Sequence, residues 1–322
     1  MTKKILILHT GGTISMSEDE TGKIRPNAQN PLATVSLAAS GKVELVTEEI
    51  FNLPSPHMTP ERMLDLSLRI RRAEAAGFDG AVVTHGTDTL EETAIFLDLT
   101  ISSQLPVVVT GAMRSSNEVG SDGIYNFRQA VAVASAPDSL GKGVVVVMND
   151  EIHSARYVTK THTTNVATFR TPTFGPIGIV SDGHVNYVQT INPQEHLPID
   201  RVLPGVFLVK AYAGMGPELL QALDRPQTKG IVIEALGAGN MPPQTLGALQ
   251  SLIDHGIPLV LVSRCFNGIA EPVYDYEGGG VNLAQMGIIY CRGLTGPKAR
   301  IKLLVGLSAG LTGRQLKKYL NS

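Results

Sequence analysis

Cysteine is scarce in this chain: Cys265 and Cys291 are the only two in 322 residues. They form neither a CxxC pair nor part of a Cys/His cluster, which argues against structural zinc and against a disulfide framework. So few thiols suit a reducing compartment. An excess of one charge is missing too: 27 Lys and Arg stand against 29 Asp and Glu, for a net −2. No strong basic run offers the face that nucleic acid requires. No apolar stretch approaches the ~20 residues that span a bilayer. Lys3-Lys4 precede the apolar run Ile5-Leu6-Ile7-Leu8, but that run is well short of the roughly 7–15 residues of a signal-peptide core. It reads as a first strand, and the expected setting is the cytoplasm, with neither nucleic acid nor membrane as partner. Fixed-period repeats and low-complexity tracts are also absent, Gly278-Gly279-Gly280 being too short for either.

What is present is an alternation. A chain of 322 residues is long for one core and comfortable for two, and at this size folding buries roughly three-quarters of the extended surface without a covalent staple. Ile5–His9, Ala81–Thr84, Val107–Thr110 and Val144–Met148 are short and apolar on both faces, as strands covered on two sides by helices are. Between them Pro60–Ala76, Thr89–Ile101 and Gly123–Ala136 carry helical spacing. The rhythm predicts an α/β fold with a doubly wound, mostly parallel sheet. Ser181-Asp182-Gly183 predicts a hairpin turn between Gly178–Val180 and His184–Val188. Polar and Pro/Gly residues then gather from Asn192 to Gly205. After them the rhythm restarts with strands Val206–Lys210, Gly230–Ala235 and Pro258–Ser263, helices Pro217–Leu223 and Thr245–His255, and a helical tail over Pro297–Leu307 and Gln315–Leu320. The expected organisation is a larger N-terminal domain over 1–190, a linker over 191–204 and a smaller C-terminal α/β domain with its own parallel sheet over 205–322.

In open α/β sheets ligands sit beyond the carboxyl ends of the strands, and three such places are rich in hydroxyls and charge. Thr10-Gly11-Gly12-Thr13 follows the first strand, where glycines allow close approach and leave Thr13 on a loop. A plain turn is the bland alternative; a phosphate loop is weak, because neither GxGxxG nor Gly-Lys-Ser/Thr is present. Thr84-His85-Gly86-Thr87-Asp88-Thr89 joins a strand to a helix. Asp88 with Glu91, or Thr89 with Glu92, makes an adequate capping box, but a cap needs one such residue and four polar side chains crowd this end. His85 alone reads as a hydrogen-bonded, partly buried histidine. Val158 to Thr164 surrounds Lys160 with hydroxyl residues. A lone lysine is usually a solvated charge; enclosed in a cleft it could accept a proton, since desolvation disfavours the ammonium. Together these describe an activated hydroxyl nucleophile, with Lys160 held by Asp88 and relayed through Thr87. No GxSxG elbow or Ser-His-Asp pattern competes.

The stretches Ile7 to Ser15, reading ILHTGGTIS, and Gly80 to Leu90, reading GAVVTHGTDTL, resemble the two signatures of the bacterial-type L-asparaginases. The likeness continues through Glu91 to Ala94, Thr110 to Arg114, Val158 to Phe169 and Leu236 to Asn240, so it spans both halves of the chain. The resemblance implies a fold of two α/β domains and hydrolysis of L-asparagine to aspartate and ammonia, without metal or organic cofactor. Thr13 would carry the acyl intermediate, with Thr87, Asp88 and Lys160 activating the attacking group. It implies a substrate-binding set of Gly12, Ser55, Gly86, Thr87, Asp88, Ala112 and Asn240. Ser55 would take the α-carboxylate, Asp88 the α-amino group, and Ala112 the amide through its backbone. Backbone N–H groups near Thr13 and Thr87 are natural oxyanion donors. Asn240 would come from a neighbouring subunit of a homo-oligomer, a tetramer by resemblance.

The chain departs from the family pattern at three places. Residues 14–30 contain no tyrosine, and Lys23 stands near its expected place, which shifts weight in deprotonating Thr13 to the Lys160 side. Pro56 follows Ser55 where the family often has glutamine. The family's trans-acting glutamate has no clean match, leaving Glu271, Asp275 and Glu277 as candidates. Three alternatives stand beside the asparaginase reading: a glutaminase-asparaginase, an amidotransferase subunit, and an inactive sensor of asparagine or aspartate. Relatives of the amidotransferase kind carry an extension ahead of the first signature, and this chain has only a few residues there.

Overall fold

The computed structural model describes residues 2–27, 31–34, 43–102, 104–192 and 194–322. They divide between His196 and Leu197 into two compact units. Pro193 of the expected linker, and residues 28–30 of the segment after Thr13, lie outside the described residues.

The first unit runs β1 (Lys3–Gly11), β2 (Met16–Glu18), β3 (Ile24–Pro26), β4 (Val43–Leu53), α1 (Pro60–Arg71), β5 (Gly80–Thr84), α2 (Leu90–Thr100), β6 (Val107–Thr110), α3 (Gly123–Ser135), β7 (Val144–Met148), β8 (Glu151–Ser154), β9 (Thr159–Lys160), β10 (Phe169–Arg170), β11 (Gly178–Ser181) and β12 (His184–Tyr187). Its main sheet has eight strands in the order β12-β11-β8-β7-β6-β5-β1-β4. From β4 to β7 every pairing is parallel, and β8, β11 and β12 extend the sheet antiparallel. Alternation sorts the side chains into two layers. Leu6, Leu8, Ala81, Val83, Val107 and Val109 pack with Leu66 and Ile70 of α1 and Leu90, Ala94 and Leu97 of α2. Ile5, Ile7, Val82, Val108, Val145 and Val147 meet Phe127, Ala130 and Val131 of α3. Truncating one of the fully buried residues Ile5 to Leu8 to alanine would cost about 2–5 kcal/mol. The doubly wound, mostly parallel sheet expected from the sequence is the one observed.

Differences are local. The β11–β12 hairpin turns through Asp182 and Gly183, both at positive φ (49° and 76°), as tight two-residue hairpins require. Helix α1 stops at Arg71 rather than Ala76: Ala73 and Phe78 are both buried and bonded N–H to O across 3.1 Å, so the chain coils back through short turns towards β5. Strand β4 is absent from the sequence reading. It is an edge strand with no fully buried residue, and its three glutamates, Glu44, Glu48 and Glu49, blur the apolar pattern.

The second unit runs β13 (Val206–Lys210), α4 (Glu218–Leu223), β14 (Gly230–Ala235), α5 (Leu246–Asp254), β15 (Leu259–Ser263), α6 (Gly280–Gln285), β16 (Ile289–Tyr290), α7 (Gly296–Ser308) and α8 (Gly313–Asn321). Its four strands pair in parallel in the order β13-β14-β15-β16. Ile231, Ile233, Leu259 and Leu261 form a core with Leu220 of α4, Leu249 and Leu252 of α5 and Leu283 of α6. The smaller parallel-sheet domain expected from the sequence is present; α6 and β16 are additions to it. No helix among the described residues is long and apolar enough to cross a membrane.

Candidate active site

Strands β1 and β5 run side by side in parallel, with Ile5 opposite Gly80 and His9 opposite Thr84, so their carboxyl ends emerge together. After β1 the pairing with β4 shifts between His9 and Gly11, and Gly12 donates its N–H to the Leu53 carbonyl at 3.0 Å. Gly12 takes φ 84°, and a Cβ there would lie 2.2 Å from the Gly86 Cα. A Cβ on Gly86 would in turn lie 2.7 Å from the Ser55 Cβ. The two loops therefore touch backbone to backbone, one residue before Thr13 and one before Thr87. Thr13 opens a single 3-10 turn, Thr13–Ser15, and is half-buried. Its hydroxyl has no hydrogen-bond partner among the described residues.

The junction after β5 does not act as an ordinary helix cap. Thr89 occupies the N-cap of α2, yet its side chain makes no cap bond. Its hydroxyl donates to the Ser55 carbonyl at 2.8 Å, and the Ser55 hydroxyl accepts the Asp88 N–H at 3.2 Å. Thr89 thus does not cap the helix: its hydroxyl and the Asp88 N–H hold Ser55, which is buried in a 3-10 turn (Ser55–His57), against the end of β5. Pro56 of that turn is exposed.

Lys160 reaches this junction from β9. Its ammonium donates to the Thr87 hydroxyl at 2.9 Å and to the Asp88 carboxylate at 2.7 Å. The lysine side chain is 17% exposed and the aspartate 60%; they line an open recess of about 580 Å³ with Glu91 and His162. The ribbon that presents Lys160 is short, two residues paired with two of β10, and it has outside support. Arg170 donates to both oxygens of Glu151 at 2.8 and 3.0 Å, and the His153 ring lies 3.1 Å from the same carboxylate. His153, with Arg170 behind it, holds the Glu151 carboxyl below the usual carboxylate range. Thr168 clips the tip by donating to the His162 carbonyl and accepting its N–H.

Two histidines line the strand ends from inside. His9 meets the Thr84 hydroxyl at 2.7 Å, and His85 spans the Gly86 carbonyl at 2.7 Å and the Thr93 hydroxyl at 2.9 Å. Burial pushes both down to about 4, so at neutral pH both rings are uncharged. A carbonyl can only accept, so His85 carries its proton on Nδ1 and accepts from Thr93 on Nε2.

Ala112 is fully buried just beyond β6, the strand next to β5. Asp122 sets the turn that follows, accepting the N–H groups of Met113 and Arg114 at 3.0–3.1 Å. The segment after Thr13 forms the β2–β3 hairpin, with Lys23 in its turn donating its N–H to the Asp19 carboxylate. Met16 accepts from Ser116, and Glu18 exchanges bonds with Asn117. Asn240 belongs to the second unit, just past β14, where its side-chain oxygen accepts the Gly280 N–H at 3.1 Å. Glu271, Asp275 and Glu277 are exposed there, with Glu271 3.6 Å from Arg292. Within the first unit, then, the structure links Ser55, Gly86, Thr87, Asp88 and Lys160 directly and sets the Gly12–Thr13 loop against them. The sequence reading missed the roles of Thr89, Thr93, Asp122, Glu151 and Arg170. Each acts on a residue that no local pattern connects to it. Among the described residues no group of three or more His, Cys, Asp or Glu side chains converges as metal ligands would.

A family model described as "Asparaginase, N-terminal" matches residues 4–193, and "Glutaminase/Asparaginase C-terminal domain" matches residues 205–320. The chain is 38% identical over 311 residues to an L-asparaginase of Bacillus licheniformis, covering 96% of this chain and 97% of that one. It is 39% identical over 320 residues to a probable L-asparaginase of Deinococcus radiodurans, covering 98% and 96%. The crystal structure of a probable cytoplasmic L-asparaginase from Campylobacter jejuni superposes with a TM-score of 0.84 at 33% identity, over 99% of both chains.

Proposed function

The chain belongs to the asparaginase family, and from that membership we propose that this enzyme, an L-asparaginase, works through a threonine-linked acyl intermediate. The observation that carries the reading is the Lys160 contact with Thr87 and Asp88, 2.9 and 2.7 Å, beside a loop holding a hydroxyl without a partner among the described residues. The Thr13 oxygen attacks the side-chain amide carbon, and its proton passes to the amide nitrogen, which leaves as ammonia. Water then attacks the ester, the bond to Thr13 breaks, and aspartate departs while the threonine oxygen regains a proton. Thr87, Lys160 and Asp88 form the relay that carries the proton from the Thr13 hydroxyl to the leaving nitrogen, with Asp88 stabilising the positive charge on Lys160. Ser55 and Asp88 hold the substrate's α-carboxylate and α-amino group, and the Ala112 backbone meets the amide. The free N–H groups that open the Thr13 turn suit an oxyanion.

Substrate choice rests on one methylene, which a pocket discriminates by only ~1–3 kcal/mol. Ammonia release from asparagine and glutamine, measured side by side, tests it. Faster release from asparagine supports the assignment; equal rates make the chain a glutaminase-asparaginase. Two free cysteines and the compartment named for the Campylobacter jejuni relative support a cytoplasmic place of work.

The working unit in this reading is a homo-oligomer, a tetramer, in which Asn240 of one chain completes the site of another. A Thr13→Ala chain combined with an Asn240→Ala chain places both lesions in one site and leaves the other whole. Isolated mixed oligomers should recover a clear fraction of the activity that either homo-oligomer lacks. Mixed oligomers as inactive as both parents would show that each chain holds its own complete site.

A further inference from the structure

His85 has no part in the relay, yet no side chain near the site is more fully enclosed: it is 0% exposed and bonded at both ring nitrogens. Its Nδ1–H grips the carbonyl of the next residue, Gly86, at 2.7 Å. That carbonyl and the Thr87 N–H share one peptide plane and point in opposite directions. Holding the carbonyl inward on the ring therefore holds the Thr87 N–H outward, away from the interior. Among the described residues that N–H has no acceptor, and an unpaired amide at a junction packed on the Gly12–Thr13 loop needs a partner.

We infer that His85 is a positioning residue: through the Gly86 carbonyl it aims the Thr87 N–H as an oxyanion donor for the tetrahedral species formed on Thr13. The inference rests on Thr13 as nucleophile and adds the element that fixes the donor. Thr93 supplies the complementary half by donating to Nε2 at 2.9 Å, which keeps the proton on Nδ1. Glycine at 86 contributes as well. A Cβ there would lie 2.7 Å from the Ser55 Cβ and 3.1 Å from the Gly12 Cα, so only glycine lets this peptide sit between them without displacing Ser55.

A misdirected oxyanion donor weakens the transition state more than the ground state. His85→Leu should therefore lower kcat by about 10–100-fold, less than the ~10²–10³ of losing a donor outright, with inhibition by aspartate changed by less than about threefold. Binding of the β-aldehyde analogue of aspartate, whose carbonyl carbon adds the Thr13 hydroxyl and leaves an oxygen in the oxyanion position, should weaken in step with kcat. His85→Asn carries an N–H at the δ position and should recover most of kcat; His85→Gln carries it one bond further out, at the ε position, and should not. The Asn and Gln pair decides the matter even if the leucine variant fails to fold. Unchanged kcat in His85→Leu, equal kcat in the Asn and Gln variants, or parallel loss of aspartate and aldehyde binding would each overturn the inference. A flat His85 series with an inactive Thr13→Ala protein removes this inference alone. An active Thr13→Ala protein removes the reading beneath it.

Discussion

At the carboxyl end of β5 the hydrogen bonds reach out to other segments, to Ser55 and to Lys160; at the carboxyl end of β14 the turn is closed on itself and tied by neighbouring side chains. Both strands are parallel, apolar and followed by a glycine-containing turn. Past β14, however, Leu236 and Asn240 exchange both backbone bonds at 2.9–3.0 Å, and the one Tyr290 hydroxyl proton is shared between the Gly239 and Gly280 carbonyls at 3.1 and 3.0 Å. Ser263 donates to Gly237 and receives the Cys265 N–H. That end is braced. Past β5 the same resources go outward, Thr89 to Ser55, Asp88 to Lys160 and Lys160 to Thr87, and a hydroxyl is left over at Thr13. A strand end in an α/β sheet is thus a permissive place for chemistry, and these two differ in where their hydrogen bonds are directed.

The harshest way to break this contrast is to remove the unspent hydroxyl. Thr13→Ala should cost ~10³-fold or more in turnover while aspartate still binds through Ser55 and Asp88. Near-normal ammonia release from the folded variant would sink the assignment. The next effect is smaller. Lys160→Met should lower kcat by ~10²-fold, and Lys160→Arg should not restore it, because a guanidinium does not give up its proton. Full activity in the arginine variant would mean that the position supplies only charge.

Tyr290→Phe probes the braced end. Losing a buried hydroxyl whose one proton is shared between two carbonyls should cost about 1–3 kcal/mol of stability in a denaturant titration, and kcat should fall as well, because the braced turn presents Asn240. Unchanged kcat alongside that stability loss would show that the turn bearing Asn240 takes no direct part in turnover.

The smallest effect follows from His9 and His85, both in the first unit and both lowered from 6.5 to about 4 by burial. Between those values the unfolded chain binds the protons that the folded chain refuses. Stability is therefore complete above about 6.5 and declines as pH falls towards 4, by up to roughly 1.4 kcal/mol per pH unit for each ring. Melting temperatures between pH 6.5 and 5, above most carboxylate titration, should fall accordingly, and less steeply in His85→Asn. An equal slope in that variant would mean that the ring titrates normally in the folded protein.

These contrasts also show what a linear reading can reach. The strands of both cores were legible because the apolar runs are dense and the turns carry Gly, Asp and Pro. The edge strand Val43–Leu53 was not, since only one of its sides meets the sheet and glutamates interrupt its pattern. Helix α6 begins inside Gly278-Gly279-Gly280, where propensity argues against a helix, and stands because Leu283 anchors it in the second core. Within the candidate site the crowding of Thr87, Asp88 and Lys160 with polar neighbours could be seen one segment at a time. The diversion of Thr89 from its cap and the grip of Arg170 on Glu151 could not, because each depends on a partner far along the chain.

The contact between Gly12 and Gly86 has a consequence for how this protein can vary. The distance between the two threonine loops is held by hydrogen atoms where every other residue places carbon. Enlarging position 12 drives the loops apart and enlarging position 86 drives Ser55 off its seat, and shrinking the opposite glycine cannot compensate for either. A saturation library selected for growth on asparagine as the nitrogen source would therefore return two unvarying columns, at 12 and 86. No pair of changes confined to these two positions would be recovered, however large the library.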